Sequence, residues 1–453
     1  MIEPDLVIRN GRLVLGDSVV QGGIAVKDGK IAAIAADAAL PRVGNEIDAH
    51  GNFVLPGLID CHVHFSRITE ETEDFRSGTQ AAAAGGLTTI FDMPGSDEKA
   101  VLDAVTLDDK RKEAESLAFV DFGLYGGAGK GNIAKISEMA QAGAIGFKTF
   151  MLRETSYSVD NDIQLYQVLE ETARTGRPNC IHAENPDLVD YFAQRLIRAG
   201  RKDPIAHAES RPNICEVEAI SRLFLLGKHS GARVHIVHMS TKEGVPILAQ
   251  AKDKGQTVSA ETCPQYLLLT KETMRKLGPY AKINPPLREE DDIKALWDGL
   301  SSGVVDIIAS DHAPYTKEEK DLGRDDIWKA GPGNPGVETM VPLLLTKVNE
   351  GRLSIARFAE AMSTRVARLF GIYPKKGSLQ VGSDADFTIV DMRKESVIEA
   401  GKLYTKSRAL TLYDGWKVKG LPIMSVVRGA VVMQEGKVVG EEGYGRFVAP
   451  LTS

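Results

Sequence analysis

Short apolar runs of strand length recur through the middle of the chain, spaced by longer helix-like intervals. They lie at 88–91, 121–125, 144–148, 180–182, 234–238, 258–261 and 306–310, and another ends at His62-Val63-His64. Intervals such as 162–175 and 216–228 read as helices between them. Eight such βα units predict an α/β fold, a (β/α)8 TIM barrel with insertions, over residues 53–374.

The two ends have another texture. Asn10-Gly11, Gly22-Gly23 and Asp28-Gly29 separate short apolar runs, and Asn-Gly and Asp-Gly in such places are hairpin signals. The tail repeats this, with 382–386 leading into the run 387–390 and 426–429 preceding 431–433. Residues 1–52 and 375–453 are therefore expected to form one small β-sandwich domain built from both termini.

Composition narrows the class. With 453 residues and 43% apolar content the chain can bury a large core. The net charge is -7 with both signs interspersed, so no nucleic-acid face is expected. No apolar run approaches the roughly 20 residues of a membrane span, and the start Met1-Ile2-Glu3-Pro4-Asp5 is unlike a signal peptide. The four cysteines show no C-x-x-C spacing, which fits a reduced, cytoplasmic protein. A small-molecule partner is the expectation, with neither nucleic acid nor membrane.

The ends of the strand-like runs carry the chemistry. His62 and His64 are two apart, so on a strand they face one site with Val63 turned away. His182 and His238 each end an apolar run, and Asp311 follows another. Parity puts Val234, Ile236 and His238 on one face of their strand and sends His235 toward the helices. Asp311 and His312 diverge likewise, with Asp311 taken as ligand. His50, His207 and His229 lie away from strand ends and are bystanders. Lys148 sits inside an apolar run. It either snorkels to water at the strand end, or it is a neutral amine that adds carbon dioxide. The carbamate so formed has two oxygens and can bridge two cations. Two divalent ions outweigh that carbamate, Asp311 and a bridging hydroxide, leaving positive charge for a developing oxyanion. Such a pair, about 3.5 to 4 Å apart, acidifies a bridging water and polarises a carbonyl. Asp311 would shuttle the proton to a leaving nitrogen. Zinc suits these ligands best, with manganese or cobalt as substitutes.

Three other patterns carry less. Gly299-Leu300-Ser301-Ser302-Gly303 matches G-x-S-x-G, but a helix precedes it and a strand follows, the reverse of a nucleophile elbow. The glycines of 126–131 lack the spacing of a phosphate loop. Cys263 reads as a packed thiol.

As a set, Pro56-Gly57-Leu58-Ile59-Asp60-Cys61-His62-Val63-His64, Gly146-Phe147-Lys148, His182-Ala183-Glu184-Asn185, Val237-His238-Met239-Ser240, Glu261-Thr262-Cys263-Pro264-Gln265-Tyr266-Leu267, Asn284-Pro285-Pro286-Leu287-Arg288 and Ser310-Asp311-His312-Ala313-Pro314 resemble the amidohydrolase superfamily, in its cyclic-amidase branch. The resemblance covers nearly the whole chain. It implies a binuclear metal site with carboxylated Lys148 that opens a cyclic ureide by hydrolysis. His62, His64 and Asp311 would hold the more buried ion, His182 and His238 the other, and Lys148 would bridge them. Where dihydroorotases hold a carboxylate this chain has Ser66, Gly95 and Tyr315, and the Glu-Pro-Gly-Arg of allantoinases is replaced at 67–70. Arg153 stands where D-selective hydantoinases carry a tyrosine, and Tyr157 lies nearby. The residues 326–331 and 336–339 resemble the L-hydantoinase group, so a hydantoinase-like or dihydropyrimidinase-like activity of non-D type is expected, with allantoinase as the alternative. Phe65, Leu152 and Tyr157 are expected to line the pocket for the ring substituent. Arg67 or Arg153 would meet an acidic or ureido group, and main-chain groups near Asn284 and Gly333 would hold the ring. A homo-oligomer, tetramer or dimer, is the usual assembly of such proteins.

Overall fold

The computed structural model describes residues 3–65, 72–96 and 99–451. Five strands open the chain: β1 (Leu6–Leu15), β2 (Ser18–Lys27), β3 (Lys30–Ala35), β4 (Glu46–Asp48) and β5 (Phe53–Pro56). The barrel strands follow as β6 (Leu58–Val63), β7 (Leu87–Asp92), β8 (Asp121–Gly127), β9 (Gly146–Phe150), β10 (Pro178–His182), β11 (Arg233–Ile236), β12 (Val258–Thr262) and β13 (Ile307–Ile308). Four more close the chain: β14 (Phe387–Val397), β15 (Lys417–Val427), β16 (Ala430–Gln434) and β17 (Lys437–Val438).

The eight middle strands pair in sequence order and parallel, as a (β/α)8 barrel requires. Its seam closes between β6 and the segment after β13. His64 N donates to His312 O at 2.8 Å, and Ser310 N donates to the Asp60 carboxylate at 3.1 Å. Helices such as Asp162–Thr175 and Asn213–Ser230 cover the outside. The lower interior is solid: Ile59, Phe91, Tyr125, Cys180 and Ile307 pack with Phe370, whose ring meets Phe91 edge-on at 5.0 Å. This packed floor leaves the carboxyl-terminal mouth open for a site.

The nine remaining strands form one sheet with the path β17-β16-β15-β14-β5-β1-β2-β3, and β4 pairs with β1. Leu6, Ile8, Ile24 and Val54 share a core with Phe387, Ile389 and Val426, so both termini build this domain. Strand β5 belongs to it, which moves residues 53–56 out of the expected barrel segment; the apolar run through 55–60 is two strands split at Gly57.

Turn chemistry explains the sheet's register. Asp28 and Gly29 both have positive φ (50° and 73°), the signature of a tight hairpin, and join β2 to β3 as expected. Asn10-Gly11 does not turn the chain. It is a bulge inside β1, where Asn10 takes φ 54° and the pairing with β2 shifts between Ile8 and Gly11. Gly22 likewise lies within β2; a Cβ there would sit 2.6 Å from the Ala35 carbonyl oxygen, so glycine marks a close backbone approach.

A buried ammonium ties the sheet to the barrel. Lys376 is 2% exposed and pairs with Asp121, with Asp386 at 2.7 Å and with Asp384 at 3.3 Å. Arg428 reaches Asp121 from the other side. The three carboxylates lie close enough together to hold a cation, and Lys376 supplies that charge. No helix among the described residues is long and apolar enough to cross a membrane.

Candidate metal centre

At the barrel mouth a cavity of about 250 Å3 is lined by His62, His64, Lys148, His182, His238 and Asp311. The structure therefore brings all six expected ligands together. His62 Nε2 lies 3.1 Å from Asp311 Oδ1 and 3.3 Å from His64 Nε2, which is itself 3.6 Å from Asp311 Oδ1. His182 Nδ1 and His238 Nε2 form a second group, 3.0 Å apart. The Lys148 amine is buried with no hydrogen-bond partner among the described residues, 5.0 Å from the centre of the Phe150 ring.

Backbone geometry places these groups. His62 and His64 converge as their spacing dictates, and Val63 packs into the outer core. His238 arrives otherwise. Val234 and Ile236 point outward to the helices, whereas His235 faces the barrel interior, where it meets Ser259 and Glu261. The parity expectation for β11 is thus corrected. The strand ends at Ile236, and His238 turns back into the mouth with φ 40°. Asp311 has φ 50°. Positive φ is costly for residues with a Cβ and is held only where the surroundings impose it; here it aims two expected ligands into one cavity.

Carboxylates behind the imidazoles orient them. Glu261 forms a short bond with His62 Nδ1, meets His235 Nε2 at 3.1 Å and accepts from the Cys61 thiol at 3.3 Å. Glu184 Oε2 lies 2.7 Å from His182 Nε2 and accepts from Arg211 Nη1 at 2.6 Å. Each arrangement fixes one ring nitrogen and leaves the other facing the cavity. The His182 ring also stacks on Phe150 at 4.9 Å. The motifs alone do not assign these roles to Glu184, Phe150 and Glu261. The signal was present in two cases: Glu184 and Phe150 follow His182 and Lys148 by two residues.

The electrostatics suit cation binding. Burial holds the His64 imidazole down at about 3 and that of His238 well below its usual range, so both rings are neutral ligands at neutral pH. Burial also lowers the Lys148 ammonium's pKa. Burial pushes the Asp311 carboxyl up, but His62, His64 and Lys148 bring it below the ordinary carboxylate value. Four imidazoles, one carboxylate and a buried amine without a hydrogen-bond partner among the described residues make a donor set fit for divalent cations.

The expected substrate contacts divide. Tyr157 and Asn284 line the cavity. The Tyr157 hydroxyl donates to the Gly95 carbonyl at 3.0 Å, and Asn284 Oδ1 is buried without a partner among the described residues. Phe65 is buried behind the site, edge-on to His312 at 5.5 Å. Leu152 packs with Val189 and Cys215. Arg153 turns outward to Asp187 at 2.9 Å. Gly333 donates its N–H to the Lys282 carbonyl and sits beside the lining residue Pro332. Ser66 and Arg67 lie outside the described residues. Gly95, Ser96, Glu154, Thr155 and Tyr315 complete much of the wall, and Arg211 Nη2 lies 3.4 Å from Glu154. Of the bystander histidines, His207 is buried with Nε2 2.9 Å from the Ile283 carbonyl oxygen, and His229 pairs with Tyr166. Ser301 ends a helix and bonds the Arg352 carbonyl, away from the cavity.

The amidohydrolase family matches residues 53–432. The chain is 40% identical to L-hydantoinase of Paenarthrobacter aurescens over 98% of both chains. It is 38% identical to an allantoinase of Rubrobacter xylanophilus, again over 98% of both. The solved L-hydantoinase (dihydropyrimidinase) from Arthrobacter aurescens superposes with a TM-score of 0.95 at 39% identity, covering 99% of this chain and 100% of that one.

Proposed function

Because this chain belongs to the amidohydrolase family, we propose that it hydrolyses the amide C–N bond of a cyclic ureide, a hydantoin or dihydropyrimidine ring. The observation that carries this reading is the grouping of His62, His64 and Asp311 beside His182 and His238, with the Lys148 amine, which has no hydrogen-bond partner among the described residues, in the same cavity.

His62, His64 and Asp311 would hold one divalent ion and His182 and His238 a second, with Lys148 serving both; zinc fits best, and manganese or cobalt can substitute. Lys148 meets this role as a carbamate: its neutral amine attacks carbon dioxide, a C–N bond forms, and the proton leaves to water. Bound there, the ions supply an acidified water and polarise the scissile carbonyl. The chain's own groups do the rest. Asp311, ionised, takes the proton of the attacking water on a carboxylate oxygen and delivers it to the departing ring nitrogen. Glu261 and Glu184 keep His62 and His182 in one tautomer and orientation. Asn284 offers a carboxamide oxygen to a ring N–H. The closed floor beneath the site keeps the reaction at the mouth.

The allantoinase relative, nearly as similar as the L-hydantoinase, favours allantoin as the second reading. The deciding experiment incubates purified, zinc-loaded enzyme with several 5-substituted hydantoins, dihydrouracil, allantoin and dihydroorotate and follows ring opening. Turnover of a hydantoin or dihydrouracil supports the proposal, turnover of allantoin alone selects the second reading, and turnover of none overturns both.

A further inference from the structure

Outside the metal centre the cavity wall is mostly uncharged. Among the described lining residues, Glu154 is the one charged side chain besides the six clustered groups. It stands on the loop after β9, between Leu152, which packs inward, and Tyr157, which shares the cavity wall. Its side chain is 46% exposed. Two cations lie nearby: Lys282, whose ammonium donates to the Ile327 and Trp328 carbonyls at 2.9 and 3.3 Å, and Arg211, whose Nη2 lies 3.4 Å away and whose Nη1 is committed to Glu184 at 2.6 Å. Arg211 is thus shared between two carboxylates, so Glu154 keeps part of its charge for whatever enters the mouth.

We propose that Glu154 sets the charge selectivity of the enzyme: ring substituents that carry a cation or N–H donors are favoured, and substituents ending in a carboxylate are rejected. The inference rests on the cyclic-ureide reading and names the substrate class within it. A carboxylate at the rim of a cavity is screened less than one on open surface, and like charges brought into the same cavity are penalised as opposite charges are rewarded. The role is one of specificity, since among the described residues Glu154 is linked to the clustered ligands indirectly, through Arg211 and Glu184.

The test compares kcat/KM for three hydantoins of similar length, those derived from lysine, norleucine and glutamate, in the wild type and in Glu154→Gln. The wild type is expected to prefer the lysine-derived ring over the glutamate-derived ring by about tenfold, with norleucine between, and Glu154→Gln to reduce that ratio to about one. Raising the ionic strength should shrink the wild-type ratio in the same direction, an arm that needs no variant. If Glu154 served only to brace Arg211, the variant would slow all three substrates alike; an unchanged ratio overturns the proposal. A wild type that hydrolyses all three with no charge preference overturns it too, while leaving the cyclic-ureide reading intact. A wild type that opens none of these rings, nor unsubstituted hydantoin, nor dihydrouracil removes the reading beneath it and the proposal together.

Discussion

Replacing Lys148 by alanine separates the metal role from ordinary packing. The side chain is 1% exposed and its amine has no hydrogen-bond partner among the described residues. As an ammonium it would carry a desolvation cost of several kcal/mol, which truncation removes. Truncation also gives up about 2 kcal/mol of buried aliphatic stem. These terms oppose each other, so metal-free Lys148→Ala should lie within about 2 kcal/mol of the metal-free wild type. The loaded proteins should differ far more. The variant lacks the group serving both ions, and one ion at a hundredfold excess over its Kd is worth about 2.7 kcal/mol of stability. Calorimetry on chelator-stripped and zinc-titrated samples reads this directly, with metal content measured alongside. A loss of about a thousandfold in kcat/KM is expected, equivalent to about 4 kcal/mol of transition-state stabilisation. Short carboxylic acids such as acetate or propionate should restore part of it by entering the vacated space. A variant that retains both wild-type metal content and wild-type turnover refutes the reasoning.

Stripping the enzyme with a chelator should abolish hydrolysis, and zinc, manganese or cobalt should restore it, checked by assay after each addition. Glu184 gives a pH signature in the metal-free protein. Burial raises its carboxyl, but Arg211 and His182 pull it down to about 2 from the ordinary 4.5. A depressed folded value means the stabilisation, about 3 kcal/mol, is complete above the unfolded pKa and is lost as pH falls toward the folded one. The stability deficit of Glu184→Gln should therefore shrink as pH drops through that window, as measured by urea unfolding at a series of pH values. Lys376→Met leaves Asp384 and Asp386 without their shared ammonium and should cost about 3 to 5 kcal/mol, measured by urea unfolding at neutral pH.

The barrel and most of its ligands were legible because both rest on local periodicity. Strand-length runs between helices fix the fold, and a two-residue spacing brings His62 and His64 together. His238 shows the limit of that rule. Its parity predicts the right destination for the wrong reason, since the backbone reversal at φ 40° lies beyond the end of the strand. Asn10-Gly11 has hairpin chemistry, yet ten residues of β1 run straight through it because β2, β4 and β5 all pair along that strand. The substituent pocket was least readable. Phe65 and Leu152 sit near ligands in sequence but are drawn into packed clusters, while Ser96, Glu154 and Tyr315 reach the cavity on separate loops whose meeting only the tertiary structure decides.

The sheet order has a consequence for biosynthesis. Strand β5 pairs on one side with β1 and on the other with β14, which lies over 300 residues later. A growing polypeptide on the ribosome therefore carries the edge of β5 unsatisfied until nearly all of the barrel has emerged. Open strand edges recruit foreign strands, and pairings this distant in sequence form slowly. Truncation after the barrel's last floor residues, between 374 and 387, should thus yield a chain with its catalytic mouth assembled and a sticky flank, prone to aggregate during translation instead of accumulating as a soluble fragment.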